Sequence, residues 1–92
     1  MIKSFQHKGL ERYFQTGSKA GIQAAHATKL RLQLAALDNA LTPLDLKAAP
    51  WDLHQLKGDM QRFWSIKVNG NWRVIFTFEG LDAVLVDYLD YH

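Results

Sequence analysis

The 92-residue sequence predicts an α+β fold in a single domain (1–92), with an antiparallel-rich sheet covered on one face by two N-terminal helices. Three observations predict it. Up to about residue 50, apolar residues recur at helical spacing. Beyond that point they alternate with polar residues at the period of a strand. Two hairpin-type dipeptides, Asn69-Gly70 and Glu79-Gly80, punctuate the second half.

The elements follow in order. "MIKSF" is a short strand candidate. From His7 to about Gln15, Leu10, Tyr13 and Phe14 fall at i, i+3, i+4 on one helical face, and Gly17 ends that helix. From about Ala24 to Ala40, Leu30, Leu34, Leu37 and Leu41 form a stripe in Ala-rich sequence free of Gly and Pro, which predicts a second helix packed on a core. Thr42, Pro43 and Asp45 carry the signature of a capped helical turn. "WDLHQL" reads as a short extended stretch closed by the "KGD" turn. "RFWSIKVNG" puts Trp64, Ile66 and Val68 on one face and Phe63, Ser65 and Lys67 on the other. "NWRVIFTFEG" puts Trp72, Val74, Phe76 and Phe78 opposite Asn71, Arg73, Ile75 and Thr77. With "LDAVLVDYLDYH" these runs make an antiparallel meander whose apolar face the helices must bury.

Composition narrows the function. The chain is 48% hydrophobic and 12% aromatic, enough for a packed core. It has no cysteine, which excludes disulfides and thiolate metal sites and fits a reducing cytoplasm. No apolar run approaches the length of a membrane span, and the opening lacks the pattern of a secretory leader. The net charge of +2 is unevenly spread. Residues 1–47 carry seven basic against three acidic side chains, and residues 48–92 four against six. A basic helical half favours docking on a polyanion; a plain solvated surface is its bland explanation.

The hairpin at Glu79-Gly80 brings Asn71 and Arg73 beside residues 87–92, with Asp90 and His92 on one face of their strand. His54 and Lys57 lie where the chain turns at the sheet edge. Each residue alone has an ordinary explanation. His7 and His26 read as solvated helix residues, Arg73 as the ion-pair partner of Asp87 or Asp90, Asp90, Tyr91 and His92 as a frayed end, and Tyr88, Trp51, Trp64 and Trp72 as packing. The combination of imidazoles, guanidinium, amine, carboxylate and phenol is what stands out. The sequence holds no Gly-rich phosphate loop, no HExxH and no nucleophile elbow. Metal-free acid–base chemistry beside a cation remains, and RNA cleavage by its own 2′-hydroxyl needs only that: a base, an acid, and Arg or Lys to stabilise the added negative charge.

The opening "MIKSFQHKGLERYFQTG", "LHQLKGD", "FWSIKVNGNWRVIFTF" and the terminal "DYLDYH" together resemble the HigB branch of the RelE/ParE toxin superfamily, over essentially the whole length. The resemblance implies a small RelE-like fold and the toxin of a type II toxin–antitoxin pair. It implies a ribosome-dependent endoribonuclease that cuts mRNA in the A site, without a cofactor. The partners it implies are mRNA, the ribosome with its RNA, and a HigA-like antitoxin, a small helical DNA-binding protein. It places function on His54, Lys57, Asn71, Arg73, Asp90, Tyr91 and His92, all present here. His54 is then the general base, and His92 the proton donor or a phosphate-binding cation; the reverse division also fits. The charge distribution adds Lys29 and Arg31 as RNA-binding candidates. Two rivals share parts of this pattern: a ParE-like gyrase inhibitor, which has no chemical need of His54, Arg73 and His92, and a non-catalytic ribosomal RNA-binding module, which would depend on Lys29 and Arg31 instead.

Overall fold

The computed structural model describes residues 1–91. Two helices, α1 (Lys8–Thr16) and α2 (Ala27–Asn39), precede four strands: β1 (His54–Gln55), β2 (Trp64–Asn69), β3 (Trp72–Glu79) and β4 (Asp82–Asp90). The strands form one sheet in sequence order, antiparallel throughout. The α+β architecture is the one the alternating pattern predicts.

The His7 ring caps α1: its Nδ1 accepts the Leu10 N–H at 2.9 Å. His7 is therefore a half-buried structural cap and not a solvated helix residue. At the other end the Gly17 N–H donates to the Tyr13 carbonyl. In α2, Leu30, Leu34 and Leu37 are buried against Ile66, Val68, Val74 and Phe76 of the sheet. The fourth residue of the stripe, Leu41, is 54% exposed. The helix stops at Asn39, and the extended Ala40 turns the chain before Leu41 can reach the core. Asp45 closes the next turn by accepting the N–H groups of Leu41 and Thr42, which holds its carboxyl below the ordinary carboxylate range.

Both hairpins form one residue later than the dipeptides imply. Asn69 pairs with Trp72 and Glu79 with Asp82, so the central pairs are Gly70-Asn71 and Gly80-Leu81. In each, glycine takes the positive φ at the first central position, at 58° and 62°. The extended stretch around His54 shrinks to a two-residue ladder, continued by the Lys67 N–H donating to the Trp51 carbonyl.

β4 contains a bulge that alternation does not reveal. Ile75 pairs with Asp87 and Thr77 with Val84, so Phe76 faces two residues, and Leu85 takes a φ of 56°. Ala83 and Val86, three apart, therefore both enter the core under the helices. The segment predicted as a strand at the N-terminus runs along the outer edge of β4, with parallel bridges Ile2–Ala83 and Phe5–Val86. Backbone hydrogen bonds from Lys3 to Ala83 and from Gln6 to Val86 hold it there.

Candidate active site

The register defines the face that the helices leave open. His54, Ser65, Ile75 and Asp87 form one row across the four strands, and Lys67, Arg73 and Leu89 form the next. Arg73 is the anchor of this face. Val74 beside it points into the core, so alternation sends Arg73 outward, yet its side chain is only 19% exposed. Its Nη1 donates to Ser65 Oγ at 3.4 Å, and its Nη2 lies 3.7 Å from Asp52 Oδ2. The same carboxylate reaches His54: Asp52 Oδ1 lies 2.9 Å from His54 Nε2. Among the described residues, the carboxylate paired with Arg73 is thus Asp52, where the sequence pointed to Asp87 or Asp90. Asp87 instead accepts the N–H of its neighbour Tyr88 at 2.9 Å.

The other candidates fall into three places. Asn71, in the β2–β3 turn, accepts the Tyr91 N–H on its carbonyl at 2.8 Å, which brings the end of β4 beside Arg73 as the hairpin geometry predicts. Asp90 pairs with Trp72 and Leu89 with Arg73, so Asp90 and Arg73 point to opposite faces of the sheet. Lys57 is exposed and leads into the 3₁₀ turn Gly58–Met60, three residues beyond His54 on the β1 edge. Lys29 and Arg31 are exposed on α2, in the layer on the far side of the sheet. Arg31 lines a groove of about 360 Å³ between the helices with Tyr13, Phe14, Lys19 and Leu34. His92 lies outside the described residues.

Sequence reasoning missed Asp52, Ser65 and Lys67 as members of this face. Ser65 and Lys67 were legible as neighbours of Arg73 by alternation alone. Asp52 had only its position two residues before His54. His26, read as exposed, is 6% exposed, and its Nδ1 is hydrogen-bonded to the Tyr88 hydroxyl at 2.6 Å. That ring is wedged edge-on against Trp72 and Tyr88, so it serves the core and offers no free base to solvent. Burial pushes the Tyr88 phenol above its ordinary value, and the Gln23 N–H opposes this weakly. Among the described residues no three His, Asp or Glu side chains gather as a metal site, and no helix is long and apolar enough to cross a membrane.

Two helices on one face of an open antiparallel sheet, with a guanidinium and an imidazole joined on the other, define a small α+β protein of the RelE-like class. The comparisons carry this further. The chain belongs to the HigB-like toxin family, whose model, described as the RelE-like toxin of the type II toxin–antitoxin system HigB, matches residues 3–92. It is also 42% identical over 92 residues, covering 100% of both chains, to a protein of Proteus vulgaris named endoribonuclease HigB.

Proposed function

We propose that this chain is an endoribonuclease toxin that cuts mRNA in the ribosomal A site and is held in check by a cognate HigA-like antitoxin. The observation that carries the reading is the Asp52 carboxylate shared by Arg73 and His54 on the open sheet face, in a chain related over its full length to an endoribonuclease. The chemistry needs no cofactor. His54 takes the proton of the 2′-hydroxyl, and the oxygen attacks the adjacent phosphorus. The 5′-oxygen leaves with a proton supplied by His92, and a 2′,3′-cyclic phosphate remains. Arg73 stabilises the charge that builds on the phosphorane-like transition state; its planar fork suits phosphate oxygens and never loses its charge. Lys57 and Asn71 flank the same surface and bind the RNA backbone. Asp90 and Tyr91 support the end of β4 from which His92 acts. Lys29 and Arg31 contact ribosomal RNA from the helical layer. Action on translating ribosomes places the protein in the cytoplasm.

A purified translation mixture with one defined mRNA tests this. Primer extension should map cuts within the codon in the A site, appearing only when ribosomes are present. Intact mRNA on ribosomes stalled with an open A site would overturn the reading.

A further inference from the structure

We infer that Asp52 is a positioning residue of this active site: its carboxylate holds the base His54 and the cation Arg73 in one working arrangement. The inference rests on the proposed roles of those two residues and deepens them.

The geometry is specific. One carboxylate oxygen meets His54 Nε2 at 2.9 Å and the other lies 3.7 Å from Arg73 Nη2. The backbone supports this aim at some cost, because Asp52 has a φ of 54°, in the left-handed region that side chains other than glycine rarely adopt. Such strain is retained where the surroundings fix the residue, and here the Lys67 N–H binds the carbonyl of the preceding Trp51 at 2.7 Å. Asp52 thus sits at the junction of the loop with the sheet, turned toward the open face.

The chemical effect on His54 is direct. With the Nε2 proton donated to Asp52, the lone pair sits on Nδ1, which becomes the atom that accepts the 2′ proton. Arg73 is held from two sides, by Asp52 and by Ser65, so its fork does not swing when phosphate arrives. Stability is not the role. Asp52, at 55% side-chain exposure, and His54, at 60%, form a surface pair of a kind that contributes little to folding.

The test compares Asp52→Gly and Asp52→Asn with His54→Ala and Arg73→Ala in single-turnover cleavage of one mRNA on ribosomes. Glycine accepts the positive φ while deleting the carboxylate. Asparagine tolerates the same backbone and keeps an oxygen that accepts the Nε2 proton. Asp52→Gly should lower the maximal rate by about 10²-fold, the typical effect of a misplaced catalytic group, and leave the half-saturating ribosome concentration within about twofold. Asp52→Asn should recover most of that rate, and both variants should melt with the parent protein. A parental rate in Asp52→Gly, with His54→Ala and Arg73→Ala inactive, overturns the Asp52 assignment alone. An Asp52→Asn variant as slow as the glycine variant does so too. If His54→Ala and Arg73→Ala cut like the parent, the site itself falls and the assignment with it.

Discussion

Replacing Tyr88 with Phe removes one oxygen from the junction between the helical layer and the sheet. The ring stays, so its packing on Trp72 at a centroid distance of 4.7 Å is kept and no cavity opens. The loss is the 2.6 Å hydrogen bond to His26 Nδ1. His26 is only 6% exposed, so its nitrogen is left unpaired away from water. An orphaned buried polar group costs about 1–3 kcal/mol. The Gln23 N–H also loses an acceptor, at 3.4 Å, but Gln23 is exposed and water replaces it. In a domain of this size each kcal/mol moves the melting point by about 4–8 °C, so a central cost of about 2 kcal/mol lowers it by about 8–16 °C. Circular dichroism melts and urea midpoints at neutral pH measure the shift. Adding His26→Leu should return part of it, because removing both polar partners leaves nothing unpaired. A Tyr88→Phe protein melting within about 2 °C of the parent would refute the claim that this contact ties the two layers together.

Three further outcomes are expected. Because burial raises the Tyr88 pKa in the folded state, the native protein keeps that proton where the unfolded chain has lost it. Stability should be full below about pH 10 and decline as pH rises beyond it, a decline that melts across this range should find reduced in Tyr88→Phe. The double variant Lys29→Ala with Arg31→Ala should bind ribosomes with a log–log salt slope flatter by about one and a half to two units, read by filter binding at increasing salt. His92→Gln should lose at least about 10²-fold in cleavage on the ribosome with an unchanged melt, since glutamine keeps hydrogen bonding and cannot transfer the proton.

Local pattern made much of this fold legible. The i, i+3, i+4 spacing of Leu10, Tyr13 and Phe14 and the alternation through β2 and β3 each act within a few residues and formed as read, and the two hairpins formed with their turns one residue later than read. The errors lie where distant contacts decide. His26 looked like any polar helix residue until Tyr88, 62 positions away, accounted for it. Leu41 kept the helical period after the helix itself had stopped. The bulge at Leu85 shifted the register by one, so the face of Asp90 relative to Arg73 could not follow from counting along the strand. At the site, Arg73 and its nearness to the end of β4 followed from the hairpin. Asp52 did not, because its reach to His54 and Arg73 depends on a backbone conformation that residue type does not dictate.

The strip formed by residues 1–6 along β4 has a consequence for the order of assembly. The Ser4 hydroxyl accepts the Leu85 N–H across 81 positions of sequence, and the neighbouring backbone bonds span comparable distances. Contacts of that separation close late, after the local hairpins and helices. Residues 1–6 touch the helices through the Ile2 N–H to Asp38 and the Phe5 ring against Phe14, but their bridges to the sheet must wait for β4. A nascent chain that already holds both helices and Arg73 still lacks the strand that pairs with Arg73 through Leu89. A toxin directed at ribosomes, as proposed here, gains its working shape only once β4 has cleared the ribosome that is synthesising it.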